Sequence, residues 1–468
     1  MFPRLFMSLR LASLTAAIAC APATAAPHPE WTLFSTRTTT TTTLIDLEGG
    51  AVKTWPSAYL PGMTVYLLDD GAILRAAADP SLPGPNGGGA GGRLQIIAWD
   101  GTLEWDFPLA GVDHRQHHDA LMLPNGNVLA IVWESYSAAD AIAMGRDPDA
   151  LGSEVWSEAI LEIQPTGPTT GVVVWEWHAW DALVQDFDPL LPNYAPPADN
   201  PSRIDINYIP NGANPDWLHF NGFDYNEELD QIVISCHAFD ELWIISHAPG
   251  DNADLLYRWG NPQAYGMGTP ADQQFFNQHN AQWIDDGLPG AGNLMVFNNG
   301  NGRPAGAYSS ADEIVPPLNP DGSYARDPGS PYGPAAPVWT CDTIGGSSFY
   351  SSFISGVQRL PNDNTLICVG ASGEFHEVST DCALQWSSTP GSTQFRATRI
   401  GARDTRLRDL LWCSADLATP YGTLNVDDVD AFVSAFLAGD NIADCDGSGV
   451  LNVDDIDCFV ASFLGGCP

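Results

Sequence analysis

A short apolar strand, a polar turn of Gly, Pro or Asp, and a second strand ending in tryptophan recur six times along this chain. Leu44-Ile45-Asp46 leads through Gly49-Gly50 to Trp55, and Leu94-Gln95-Ile96-Ile97 through Asp100-Gly101 to Trp105. Leu161-Glu162-Ile163 leads through Gly167 to Trp175 and Trp177, and Leu242-Trp243-Ile244-Ile245 through Pro249-Gly250 to Trp259. Glu313-Ile314-Val315 reaches Trp339 after a long Pro/Gly loop, and Phe375-His376-Glu377-Val378 reaches Trp386. Before most of these hairpins lies another, with an Asn/Gly turn between apolar strands, clearest at 123–129 and 360–366. Two hairpins make a four-stranded antiparallel sheet. A period of roughly 50–80 residues suits a blade with inserted loops better than a β-sandwich. The sequence therefore predicts an all-β, six-bladed β-propeller, a ring that disposes of exposed sheet edges by radial repetition.

The ends of the chain read differently. Arg4 and Arg10, the apolar stretch 11–19 and Ala23-Thr24-Ala25 predict a cleaved export signal over 1–25. Lipid modification at Cys20 is the alternative, although Ala17 stands where that motif wants leucine. No later segment reaches about 18 uninterrupted apolar residues, so no membrane span is expected. Of nine cysteines, Cys20 leaves with the signal, and the even remainder permits disulfides without assigning partners. No Cys-x-x-Cys pair suggests a zinc ribbon or a thioredoxin-like site. A net charge of −39 excludes a general nucleic-acid binder, because phosphate affinity needs Lys and Arg. Lys53 is the only lysine, which argues against Schiff-base chemistry. The acidity suits a secreted, periplasmic or cell-surface setting. The propeller is expected over 26–412 and a separate small unit over 413–468.

The histidines are not scattered. His117 and His118 precede the hairpin at 123–129, His219 precedes the hairpin that begins at Tyr225, and His279 opens the next. Each position is the innermost strand of a blade, and innermost strands line the central channel of a propeller. Arg303 follows the inner hairpin of the His279 blade in a glycine-bearing loop that could aim its guanidinium at the same channel. Imidazoles plus one arginine, with no carboxylate cluster beside them, suit a tetrahedral oxyanion. Arginine holds sulfate or phosphate with two parallel hydrogen bonds, and histidine serves as proton carrier or nucleophile near neutral pH. A bound zinc is the competing reading, since three histidines can hold it with an open position. The glycine-rich stretch 87–92 lacks the Gly-Lys-Ser/Thr ending of a phosphate loop and reads as a surface loop.

The body resembles the arylsulfotransferases, exported bacterial enzymes that move sulfate between phenols. The resemblance runs from about 95 to 390. It is most specific at Asp216-Trp217-Leu218-His219-Phe220-Asn221, Gln278 to Trp283, Phe297 to Arg303 and Ser355 to Asn362. It implies a six-bladed propeller and a histidine that carries the sulfuryl group from an aryl sulfate donor to a phenol acceptor, with no nucleotide cofactor. His219, His279 and Arg303 match sulfate-binding positions, with Asn280 assisting and His117 and His118 beside them. The family's covalently sulfated histidine lies C-terminal to the arginine. Here the segment Phe349-Tyr350-Ser351-Ser352-Phe353-Ile354-Ser355 has none, and His376 alone lies beyond Arg303, in an outer hairpin. The nucleophile is then His118, His219 or His279, or the chemistry has changed. A non-catalytic propeller for anionic ligands or proteins and a quinone-dependent propeller dehydrogenase remain alternatives. The second lacks a neighbouring cysteine pair and a basic quinone clamp.

At the C-terminus, Gly422 to Val433 recurs as Gly449 to Val460, each copy an acidic loop followed by an amphipathic helix. Asp444, Asp446, Ser448, Asn452 and Asp455 occupy positions 1, 3, 5, 9 and 12 of a calcium loop, with Gly449 at the sixth and Asp in place of the usual Glu at the twelfth. The first copy keeps Asp416, Asn425 and Asp428 but lacks the middle carboxylates, so weak calcium binding or none is expected there. The tail resembles a type I dockerin. That implies a calcium-stabilised tether to a cohesin-like or cell-surface receptor.

Overall fold

The structure is a computed structural model, and it describes residues 30–250, 253–401, 404–407, 410–411, 414–418, 424–445 and 450–466. The expected export signal, Cys20, and Asp446, Ser448 and Gly449 of the second acidic loop lie outside the described residues.

Six four-stranded antiparallel sheets are arranged as blades, each running from an innermost to an outermost strand. The second blade is Leu60–Leu67, Ile73–Ala78, Gly92–Ile97 and Leu103–Pro108. The third is His114–Met122, Val128–Ser137, Glu154–Gly167 and Thr170–His178. The fourth is Phe220–Asn226, Gln231–Cys236, Glu241–Ser246 and Tyr257–Trp259. The fifth is His279–Trp283, Leu294–Asn298, Ser310–Ile314 and Trp339–Cys341. The sixth is Gly356–Arg359, Thr365–Val369, Glu374–Val378 and Leu384–Ser388.

The first blade is assembled from both ends of the body. Its outer strands are Glu30–Thr36, Thr42–Ile45 and Ala51–Trp55, but its innermost strand is Gln394–Gly401, which pairs antiparallel with Glu30–Thr36. This closure ties the two ends of the body into one sheet and gives the first blade its innermost strand. Second strands such as Gln231–Cys236 and Thr365–Val369 are buried along their whole length, because every blade is covered on both faces by its neighbours.

All six marker tryptophans stand on outermost strands, and five reach into the next blade or its loops. The indole N–H of Trp105 donates to the Thr170 carbonyl, Trp177 to Ala253, Trp259 to Pro334, Trp339 to Thr380, and Trp386 to Leu47 across the closure. The sixth, Trp55, lies fully buried and edge-on to Trp99 of the second blade. The repeat seen in the sequence is thus a set of blade-to-blade fastenings, all with a large apolar surface and five of the six with one directed hydrogen bond as well.

Cys341–Cys382 joins the outer parts of the fifth and sixth blades, and Cys445–Cys458 lies in the C-terminal unit; Cys236 and Cys368 are buried thiols. That unit has two helices, Val426–Ala438 and Val453–Gly465, each opened by a reciprocal capping box, Asn425 with Asp428 and Asn452 with Asp455. They pack through Phe432 stacked on Phe459, with ring centroids 4.1 Å apart. No helix among the described residues is long and apolar enough to cross a membrane.

Candidate active site

Innermost strands run in one direction around the axis, so residues at their beginnings meet at one mouth of the channel. There the rings of His118, His219, His237 and His279 follow one another, with centroid separations of 4.8, 4.9 and 5.3 Å. Phe395, on the closing strand, completes the circle at 5.7 Å from His118 and 6.1 Å from His279. The strand pairing is broken near this level, between Gln116 and Ala120, Phe220 and Phe223, and His279 and Gln282. His118 and His219 both take left-handed backbone angles, with φ of 51°. Such angles at non-glycine residues cost about 1–3 kcal/mol each and persist where packing imposes them.

Three of the four imidazoles have a side-chain partner, and His237 Nδ1 is buried without one. His219 Nδ1 lies 2.6 Å from Asp216 Oδ2, whose other oxygen accepts the Trp133 indole N–H. His279 Nδ1 lies 2.7 Å from Asn299 Oδ1. The Asn299 amide nitrogen donates to the carbonyls of Ser351 and Ile354, so its oxygen is the acceptor and His279 carries its proton on Nδ1. The Nε2 lone pair of His279 receives the Ile354 backbone N–H at 3.2 Å. His118 Nδ1 lies 2.8 Å from Nδ1 of His117. Burial, reinforced by neighbouring imidazoles, holds His118 and His237 well below the ordinary histidine range. Burial likewise lowers His279 to about 3, against the hydrogen bond it donates to Asn299. These three rings are therefore neutral at physiological pH.

The sequence-predicted residues separate accordingly. His118, His219 and His279 come together as expected. His117 is fully buried beneath them, stacked face to face on Trp133 at 3.8 Å, with both nitrogens bonded inside the protein. Asn280 points along the channel: its side-chain oxygen accepts the Val357 N–H, and it lines a cavity of about 230 Å³ with Tyr66, Asp224, Gln282 and Arg396. Arg303 lies at the same mouth but outside the ring. Its guanidinium donates to the Tyr308 hydroxyl and Ser310 Oγ, both at 3.2 Å, and sits over the Tyr308 ring. His376 is on the third strand of the sixth blade, beside Glu374.

Three features were not anticipated. Carboxylates do stand beside the histidines: Asp216, and Glu158, whose Oε2 lies 2.7 Å from His117 Nε2. The arginine under the ring is Arg396, which bonds Tyr66 and Asp119 and closes the channel below Phe395. And the stretch 87–92 is no peripheral loop. Gly89 accepts the His118 N–H through its carbonyl, and a Cβ on Gly89 would overlap the His118 ring. Gly87 similarly packs against Asp216 and Trp133. Glycine is needed because the loop's backbone lies directly on the imidazoles. His237 was visible as the residue following a buried second strand, at the level of His219, whose carbonyl accepts the His237 N–H. Among the described residues no group of three His, Cys, Asp or Glu side chains is arranged to hold a metal ion.

Solved structures similar to the chain share little of its sequence. A protein of unknown function from Bacteroides caccae is 13% identical, with 80% of this chain and 99% of that one covered and a TM-score of 0.45. A functionally unknown protein from Desulfotomaculum acetoxidans is 8% identical, over 80% and 99%, at 0.41. Virginiamycin B lyase from Staphylococcus aureus is 10% identical, over 77% and 84%, at 0.36. No curated protein matches. The family model of the arylsulfotransferases matches residues 88–399, well over half of the chain, and this range includes His118, His219, His237 and His279. The chain belongs to the arylsulfotransferase (ASST) family.

Proposed function

We propose that this protein is an exported sulfotransferase that moves a sulfuryl group from an aryl sulfate to a phenol through His279. The observation that carries the assignment is the Asn299 amide. It holds the His279 proton on Nδ1 and leaves Nε2 as a lone pair on a neutral ring, the form in which imidazole is a nucleophile. Approach of the sulfur replaces the 3.2 Å contact from Ile354 N–H. His219, tied to Asp216, is the ring whose positive charge a carboxylate stabilises once it takes a proton, so it suits a contact to the sulfuryl oxygens. His118 and His237 face the same space. The segment 349–355 contributes no histidine but shapes the nucleophile through Ser351 and Ile354.

Two disulfides among the described residues support an extracytoplasmic location. The C-terminal unit is read as a calcium-stabilised, dockerin-like tether. In its first loop the buried Asp428 carboxylate accepts N–H groups of Leu417, Ala418 and Asn425. Calcium would be held by the second loop, through Asp444 and the buried Asp455 with Asp446, Ser448 and Asn452. There it would supply charge compensation, and a calorimetric titration of the intact protein should show one site that Asp455→Ala removes.

The catalytic reading is tested by release of 4-nitrophenol from its sulfate ester in the presence of a second phenol. Sulfated phenol should accumulate, and His279→Ala should lower transfer by about two orders of magnitude or more. His376→Ala should be silent. A stable sulfuryl label recovered on a histidine other than His279 would reassign the nucleophile.

A further inference from the structure

Glu158 and His117 are buried completely, yet both are ionisable and neither is used by the chemistry above. They form a line. Glu158 Oε1 accepts the Phe220 N–H at 2.8 Å, so Oε2 is the oxygen that meets His117 Nε2 at 2.7 Å. His117 Nδ1 meets His118 Nδ1 at 2.8 Å, and the His118 ring stands in the mouth beside His219 and under Gly89. Two nitrogens facing each other need one proton between them, so the states of the three groups are linked.

We propose that Glu158–His117–His118 is a proton relay that stores, between the two halves of sulfuryl transfer, the proton required by the leaving phenol; this rests on the sulfotransferase reading. In the loaded form Glu158 is a carboxylic acid donating to His117 Nε2, His117 Nδ1–H donates to His118 Nδ1, and His118 presents Nε2–H to the mouth. When His279 Nε2 bonds to sulfur, the aryl O–S bond breaks and its electron pair stays on the phenolic oxygen, which takes the His118 Nε2 proton. The His117 Nδ1 proton moves to His118 Nδ1, and the Glu158 proton moves to His117 Nε2. The phenol departs neutral, and the negative charge that arrived with the sulfate ester remains on Glu158. In the second half the acceptor phenol gives its proton to His118 Nε2, its oxygen displaces His279 from sulfur, and the relay reloads.

Burial favours the loaded form. It pushes the Glu158 carboxyl well up, with Asp216 and Glu134 adding to the effect, and it holds His117 well down. Among the described residues, the ionisable groups facing His118 are His117, His219, His237 and His279, with no carboxylate bonded to it directly. The flat stack of His117 on Trp133, inclined by 4°, fixes the direction of the relay. Glu158 and His117 are thus positioning residues that act through His118.

The test compares the wild type with Glu158→Gln over aryl sulfates whose leaving phenols run from 4-nitrophenol to the more basic 4-methylphenol. Glutamine can still accept the Phe220 N–H and donate to His117, but it cannot surrender a proton. The loss in kcat should be within about threefold for 4-nitrophenyl sulfate and rise to on the order of a hundredfold for 4-methylphenyl sulfate, the scale of general acid catalysis, with KM little changed. A uniform loss across the series would overturn the relay and leave sulfuryl transfer standing. Nitrogen-15 spectra of the imidazoles give a readout independent of turnover. His117 Nδ1 and His118 Nε2 should gain and lose their protons together as pH is varied in the wild type, and stay protonated in Glu158→Gln. Independent titration of the two rings would sink the proposal even if the protein transfers sulfate; coupled titration without any turnover would support the relay and reject the transfer reading. His117→Phe, which keeps the stack on Trp133, should reproduce the leaving-group dependence.

Discussion

Gly89 is a position where the site depends on a side chain that is missing. With φ of 85° and its carbonyl on the His118 N–H, it brings the backbone against the imidazole face. Gly89→Ala should displace either the loop or the ring and lower sulfuryl transfer at least tenfold, because small misplacements of reacting groups are costly. Near-native turnover with a crystal structure showing His118 unmoved would refute this. His279 makes a second prediction. Its folded pKa of about 3 lies below the unfolded value near 6.5, so the unfolded chain binds the extra proton as pH falls through that window. The stability gained from keeping this ring neutral is therefore present above pH 6.5 and lost towards pH 3. His279→Gln, compared with wild type in denaturant titrations, should gain on it by up to about 1.4 kcal/mol per pH unit below 6.5. A constant difference between pH 7 and 5 would show that the ring is not buried as described.

Tryptophans and blades show best what was legible beforehand. An outer strand must present an indole to its neighbour at a fixed place, so Trp55, Trp105, Trp177, Trp259, Trp339 and Trp386 mark the blades even where loops vary. Trp386→Phe keeps most of the apolar contact and the stack of Arg399 on the ring, but orphans the Leu47 carbonyl at the closure. The cost should be about 1–2 kcal/mol, read as a lower denaturation midpoint at unchanged slope. The histidines were legible for the same reason: strand beginnings lie at one level of the ring. The closing strand was not. An inner strand was sought ahead of each outer hairpin, whereas the first blade takes its own from the far end of the body. Phe395 and Arg396 were missed with it. Glu158 was hidden because a glutamate in the third strand of a blade looks like an outward-facing residue. Only the register that pairs it with Trp133 turns it towards His117.

At the scale of the molecule, six sheets converge on a mouth ringed by four imidazoles, and the remaining channel is plugged by Arg396, Asp119 and Tyr66. Removing the C-terminal unit should leave transfer to a soluble phenol unchanged, since no residue assigned a role in that transfer belongs to it; a parallel loss of catalysis would contradict the tether reading. The strand Gln394–Gly401 has a consequence for how the protein comes into being. A chain leaving the ribosome carries His118, His219, His237 and His279 long before it carries this strand. Until that strand emerges, the first blade lacks its inner edge and the wall of the mouth lacks Phe395. The mouth of the nascent polypeptide thus stays open-walled through most of its synthesis and is finished late and all at once, as the last stave completes the ring.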